Sequence, residues 1–292
     1  MKSRILITGG TGLLALNWAY QIRDSHEVIL GLHSRSVKPI FCKSTMINLE
    51  SVDAIVDKLK ALRIHIVIHT VGLTNVEACE ENPELAYHVN VELAVNIAAA
   101  CMFLNIQLVH ISTDHLFSGG EKFNSEECTT NPVNIYAKSK KIAEVAVLNQ
   151  NPSALVIRTN FFCWGTSYRN SLSDFIINNL RKNEPLYMFR DVYFTPIIAT
   201  ELARVVHEIL AKGGNGIYNI VSEDRLSKHE FALKIAKAIR CDEKLMYSTS
   251  ICDKKDLVLR PLEMSLSNKK TEKLLGRSSG NVDQFIKISA AS

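Results

Sequence analysis

Short apolar runs of strand length recur along this chain, separated by stretches in which apolar residues return at helical spacing. Residues 4–8, 28–32, 65–69, 106–112 and 154–158 read as strands. Residues 13–23 and 52–62 have helical periodicity, residues 83–104 form one long alanine-rich run with Pro83 acceptable in a first helical turn, and residues 133–148 follow the same period. Strands alternating with helices predict an α/β protein: a doubly wound parallel sheet with helices on both faces. Beyond Arg158 the rhythm loosens into helices over 171–181, 200–211 and 227–238, an extended piece over 186–194 and a strand over 216–221. The expected division is a dinucleotide-binding domain over residues 1–160 and a smaller substrate-binding lobe over most of 161–292, with segments near 195–220 returning to the first.

Composition narrows the class without changing the fold. A chain of 292 residues with 47% hydrophobic and 22% charged positions can bury a full core. The formal charge is only +4 and the basic residues are scattered, so no nucleic-acid stripe is expected. Cys42, Cys79, Cys101, Cys128, Cys163, Cys241 and Cys252 are odd in number, irregularly spaced and without a Cys-x-x-Cys pair, which argues against a disulfide framework or a zinc site and for a reducing, cytoplasmic setting. No uncharged apolar window reaches the roughly 18 residues of a membrane helix, so no membrane partner is expected. The apolar start at Ile5 breaks at Gly9 and Gly10, as a first strand does and a signal peptide does not.

Chemistry enters at that break. Thr8-Gly9-Gly10-Thr11-Gly12-Leu13-Leu14-Ala15 lies where the first strand hands over to the first helix, the context that makes a glycine pattern a dinucleotide-binding candidate in a Rossmann-like fold. Glycine lets the backbone turn tightly beside a pyrophosphate, and the helix start offers free amides to its charge. The second strand ends in Gly31-Leu32-His33-Ser34-Arg35, with no carboxylate where an NAD site would hold the adenosine ribose. Ser34 and Arg35 would suit a 2'-phosphate, which favours NADPH as cofactor while leaving NADH open.

Further on, Ser112-Thr113-Asp114 closes a strand at the edge where open parallel sheets bind ligands, and Tyr136 stands four residues before Lys140. On a helix those two side chains share a face. A lysine beside a phenol favours the phenolate, so the pair could exchange a proton with a carbonyl oxygen, and Thr113 could hydrogen-bond that oxygen. The alternative for each residue alone is a solvated helix pair and a strand-end packing residue. The order of glycine turn, strand-end hydroxyl and Tyr-x-x-x-Lys is what points to reduction.

With these segments the chain resembles the extended short-chain dehydrogenase/reductases, and within them the dTDP-4-dehydrorhamnose reductase family. The likeness spans nearly the whole length: residues 8–15, 112–119 and 132–140 with Glu144, and Arg260-Pro261 followed by Leu266-Ser267-Asn268-Lys269. It implies a catalytic triad of Thr113, Tyr136 and Lys140, with Lys140 lowering the tyrosine pKa and holding the nicotinamide ribose. Gly9, Thr11, Gly12 and Leu13 would line the pyrophosphate. Thr70, Val71, Gly72 and Asn90 would approach the cofactor, and Asp114, His115, Thr195, Pro196 and Arg260 the substrate, a nucleotide-linked 6-deoxy sugar reduced at its 4-keto group. Arg260 is equally suited to a diphosphate and to a structural salt bridge. The chain departs from the family pattern at residues 69–72, His115, Ser118 and Ala137. Two other functions fit the same motifs: a regulatory subunit that binds NADP without turnover, as in the similar methionine adenosyltransferase regulatory subunit, and a nucleotide-sugar epimerase or dehydratase. A homodimer is compatible with the reading, and no metal is implied.

Overall fold

The computed structural model describes residues 2–166, 168–254 and 256–290. In chain order the elements are β1 (Arg4–Thr8), α1 (Leu13–Ile22), β2 (Glu27–Leu32), β3 (Lys43–Met46), α2 (Val52–Leu62), β4 (Ile66–His69), α3 (Val76–Glu81), α4 (Pro83–Tyr87), a π-helical turn (His88–Glu92), α5 (Leu93–Phe103), β5 (Gln107–Ile111), α6 (Ile135–Gln150) and β6 (Leu155–Arg158). The second half carries β7 (Phe161–Phe162), α7 (Leu172–Arg181), β8 (Leu186–Phe189), β9 (Tyr193–Phe194), β10 (Ile197–Ile198), α8 (Ala199–Ala211), β11 (Gly216–Asn219), β12 (Leu226–Ser227), α9 (Lys228–Ala238), β13 (Met246–Thr249), α10 (Lys269–Leu275) and α11 (Val282–Ala290), with short 3-10 turns flanking β13.

Seven parallel strands form one Rossmann-like sheet in the order β11-β6-β5-β4-β1-β2-β3. Strand alternation sends Ile5 and Ile7 into one apolar layer with α1 and α8, and Leu6 into the other with α2 and α5. Both faces are therefore covered, which is why the strands read as nearly continuous apolar runs. The order reverses between β1 and β4, and at such a switch point the loops leaving the carboxyl ends diverge and open a crevice. Residues 216–219 sit in this sheet beside β6. Helix α8 packs beside α1 and α10 beside α8 and β11, while β8 and β13 pair parallel outside this sheet with α7 and α9 against them.

The elements depart from the sequence expectation in several places. The long helix over 83–104 is broken by the π-helical turn His88–Glu92, β3 and β13 are additional strands, and α3, α10 and α11 are additional helices. The helix spanning Pro83–Phe103 is apolar and long enough to cross a membrane by composition, yet it packs α5 into the core with Ala94, Ile97, Ala98 and Cys101 buried.

Beneath the carboxyl edge lies a buried ion pair. Arg158 grips Glu144 with two N–H donors at 2.9 and 2.8 Å, and Ser112 Oγ donates to the same carboxylate at 2.7 Å. Removing one partner of such a pair typically costs about 3–5 kcal/mol because the other charge is left buried alone. Here it ties the end of β6 and the turn after β5 to α6.

Candidate active site

The glycine turn is built by backbone constraint. Gly9 has φ +70°, and a Cβ there would lie 2.9 Å from Thr70 Oγ1 and 3.2 Å from the Thr70 backbone, so only glycine lets the turn pack against the loop after β4. Thr70 Oγ1 donates to the Thr8 carbonyl at 2.7 Å and fastens the two loops together. Helix α1 then begins at Gly12 with no side chain capping it. Its first-turn amides and positive dipole end remain available to an anion, which suits a dinucleotide pyrophosphate.

Helix α6 is aimed by its cap. Asn134 accepts from Ala137 N at 2.9 Å and donates to the Leu259 carbonyl at 2.9 Å, while Ile135 N donates to Glu80 at 2.8 Å. One turn in, Tyr136 and Lys140 share the buried face, as their spacing requires. Both line a cleft of about 300 Å³ at the carboxyl ends of β1, β4, β5 and β6. Gly12, Leu13, Thr70, Val71 and Gly72 line it on the cofactor side, and Thr113, Asp114 and His115 on the other. A larger hollow of about 870 Å³ opens at the amino end of the sheet, where the charges are already paired, Glu27 with Arg4 at 2.8 Å and with Lys43 at 2.9 Å.

Burial sets the protonation states inside the cleft. The Tyr136 phenol is pushed well above its ordinary value by desolvation, partly opposed by its hydrogen bond with Thr113. Lys140 is brought down to about 8 by the same desolvation, partly opposed by Glu144. Its ammonium donates to the Ile111 carbonyl at 2.6 Å and reaches His110 Nε2 at 3.5 Å. The expected lowering of the tyrosine pKa by Lys140 is therefore corrected: the ammonium is engaged with β5, desolvation dominates, and Tyr136 is protonated at neutral pH. His115 is also held neutral by burial and sets its ring edge-on to Tyr136, centroids 5.5 Å apart. Asp114 accepts from Asn160 Nδ2 at 2.6 Å and from Thr113 Oγ1 at 3.3 Å.

Several expected contacts lie behind the cleft wall. Asn90, on the π-helical turn, accepts from Leu73 N at 2.7 Å and donates to the Leu73 carbonyl at 3.1 Å and to Ser139 Oγ at 2.9 Å. With its side chain spent in this way, it fixes the 70–74 loop against α6 rather than facing a ligand. Thr195 is buried and accepts from Leu266 N at 3.2 Å, and Pro196 beside it is buried too. Arg260 makes the salt bridge, to Glu77 at 2.6 and 2.7 Å. Ser34 and Arg35 are exposed beyond β2, and the Arg35 guanidinium lies 4.8 Å over the Tyr168 ring. Tyr168 in turn donates to the Thr11 carbonyl at 3.2 Å, so Thr11 carries the far loop while Gly9 supports the turn from beneath.

Sequence reasoning missed three features of this region. His69 and His110 stack beneath Lys140, centroids 5.6 Å apart, with Thr8 Oγ1 2.9 Å from His69 Nδ1. Asn160 and Lys228 stand near Asp114, the first in contact and the second at longer range. The paired strand register of β4 and β5, His69 opposite His110, was the one available signal.

The sequence pattern of the RmlD substrate binding domain matches residues 2–287. The chain belongs to this family. It is 28% identical over 277 residues to the probable low-salt glycan biosynthesis reductase Agl14 of Haloferax volcanii, covering 93% of this chain and 92% of that one. It is 25% identical over 253 residues to methionine adenosyltransferase 2 subunit beta of Bos taurus, covering 80% of this chain and 72% of the relative. Among solved structures, the dTDP-4-dehydrorhamnose reductase of Bacillus anthracis in complex with NADP superposes with a TM-score of 0.86 at 21% identity, over 99% of this chain and 98% of that one.

Proposed function

We propose that this protein is an NADPH-dependent reductase of the 4-keto group of a nucleotide-linked 6-deoxy sugar. The observation that carries the reading is the placement of Tyr136 and Lys140 on one buried helix face, beside Thr113, in a cleft that begins at an uncapped glycine turn. NADPH would supply the hydride, held by Gly12, Leu13 and the Thr70 to Gly72 loop, with Lys140 toward its ribose. Tyr136 gives its proton to the carbonyl oxygen, and Thr113 orients that oxygen by hydrogen bonding. Burial keeps the phenol in its protonated form, while the Thr113 hydrogen bond works against the penalty on the phenolate that donation leaves behind. Asp114 and His115 line the substrate side of the cleft.

The direct test follows NADPH absorbance with a dTDP-4-keto-6-deoxy sugar, where steady net oxidation is expected. An epimerase or dehydratase would leave the cofactor pool unchanged. The likeness to a methionine adenosyltransferase subunit supports a second reading, a cofactor-binding subunit without turnover. NADP binding with no oxidation on any nucleotide keto sugar, and co-purification with an adenosyltransferase, would decide for it.

Cofactor choice has its own test at Arg35. The guanidinium is exposed beyond the end of β2 and lies over the Tyr168 ring. Arg35→Ala is expected to weaken NADPH binding by roughly tenfold, the worth of a charge-assisted hydrogen bond, and to leave NADH binding unchanged. Fluorescence titration with both cofactors reads it; equal losses for the two would remove Arg35 from 2'-phosphate recognition.

A further inference from the structure

Thr8, His69 and His110 stand side by side on β1, β4 and β5, each the register partner of the next. The positions two residues before them, Leu6, Val67 and Leu108, belong to the apolar layer with α2 and α5, so the same sheet face turns polar just short of the carboxyl edge. All three polar residues are fully buried. Thr8 Oγ1 lies 2.9 Å from His69 Nδ1, the His69 and His110 rings lie 19° from parallel with centroids 5.6 Å apart, and His110 Nε2 lies 3.5 Å from Lys140 Nζ.

Such a row is unfavourable where it stands. Among the described residues neither His69 Nε2 nor His110 Nδ1 has a hydrogen-bond partner, and a buried polar atom left unpaired destabilises the fold. The contact with Lys140 also places the proton on the ring. An ammonium offers donors and no acceptor, so Nε2 accepts and Nδ1 carries the hydrogen that finds no partner. Leucine, which fills the same strand two residues earlier, would avoid that loss.

What the imidazole supplies is a second acceptor for Lys140. The ammonium has three N–H donors: one goes to the Ile111 carbonyl at 2.6 Å and one to His110 Nε2. A lysine with one partner can swing about that bond on its four-carbon stem. Two partners on successive residues of β5 fix its direction, and the third donor is left for the cleft that Lys140 lines. The ring must be neutral to accept, and burial, then the Lys140 charge and His69, keep it so. His69, held at Thr8, stacks on the ring and limits its turning.

We propose that His110 is the positioning residue for Lys140, holding the ammonium turned toward the nicotinamide ribose of the cofactor through Nε2 without touching the cofactor itself. The proposal rests on the NADP-binding part of the reading above and is independent of which carbonyl compound is reduced.

Calorimetric titration of the full chain tests it, with NADP and adenosine 2',5'-bisphosphate as the two probes. The second probe carries the adenosine end of the cofactor and lacks the nicotinamide ribose. His110→Asn and His110→Gln offer one amide at two reaches: the glutamine carbonyl extends to the place of Nε2, and the asparagine carbonyl falls short of Lys140. His110→Asn is expected to weaken NADP binding by roughly tenfold and to leave the bisphosphate within about twofold, whereas His110→Gln should stay within about threefold of the parent for both. His110→Leu, suited to the apolar layer and free of the unpaired donor, should repeat the asparagine result with a thermal midpoint no lower than that of His110→Asn. Equal losses for both probes would make His110 a structural residue and overturn the proposal. So would NADP binding unchanged in His110→Leu, or a loss in His110→Gln as large as in His110→Asn. A parent protein that binds neither probe would bring down the NADP-binding reading, and the role of His110 with it.

Discussion

Replacing Tyr136 by phenylalanine is expected to lower the turnover of a nucleotide keto sugar by about 10²- to 10⁴-fold, the usual contribution of a positioned proton donor. The substitution removes one oxygen from a ring that is almost wholly buried between His115 and the apolar cluster of Val76, Cys79 and Ala86. No cavity opens and the packing of α6 is kept, so the thermal midpoint should stay within a few degrees of the parent. NADPH affinity should change by less than about threefold, because the glycine turn and the 70–72 loop are untouched and a lost neutral hydrogen bond is worth only about 1 kcal/mol. Loss of turnover with binding retained identifies the phenol with the chemical step. Retained turnover would remove Tyr136 from it, and with Tyr136 the argument from its desolvation. Thr113 makes a useful comparison: Thr113→Val deletes the hydroxyl that bonds to the phenol and should cost less, since it orients the oxygen without donating the transferred proton.

The same residues show what a sequence can and cannot carry. Tyr136 and Lys140 were legible because four residues on a helix fix a shared face, and Gly9 and Gly12 because a strand-to-helix turn leaves few backbone solutions. The core strands were legible for a related reason: a parallel sheet covered on both faces needs apolar residues in both registers. The edge strand β3 escaped, since Lys43–Met46 is half-exposed with a polar sequence and owes its extension to pairing with β2. The π-helical turn escaped as well. It takes one additional residue into a helical pattern and turns the Asn90 amide onto Leu73 and Ser139, a tertiary demand with no local signature. Where side chains end up was least legible. Lys140 bonds to Ile111, Thr195 to Leu266 and Arg260 to Glu77, each a partner far away in sequence. Lys228 lies over Phe194 because β12 pairs antiparallel with β9 and delivers the start of α9 there.

Acid should destabilise this protein well above the range in which its carboxylates titrate. His69 and His207 are held down to about 3 and about 4 by burial, and His110 well below its ordinary value by burial and by Lys140. The geometry explains why none can take a proton cheaply. His69 and His110 stack on each other under the Lys140 ammonium, and His207 Nε2 accepts from Trp18 Nε1 at 3.2 Å, a bond that protonation would break. In the unfolded chain each titrates near 6.5. The native state thus binds fewer protons than the unfolded one below that pH, and stability is full above about 6.5 and falls as the pH drops toward the folded values. At 1.36 kcal/mol per unit, His69 and His207 each forfeit about 2 kcal/mol by pH 5, and His110 adds in the same direction. Opposing them is His88, raised by Glu92 and Glu50, but that ion pair is exposed and screened. Carboxylates held below their ordinary values, such as Asp191 and Glu208, begin to cost stability only below their unfolded values near 3.8 and 4.5, outside this window. Urea unfolding at pH 7.5 and pH 5 should therefore show a loss of at least about 4 kcal/mol, a large part of the 5–15 kcal/mol that holds a domain folded. His207→Gln, remote from the cleft and able to accept from Trp18, should flatten the profile by about 2 kcal/mol without altering cofactor binding. A stability that stays level between those two pH values would mean that the buried histidines take up protons in the native state.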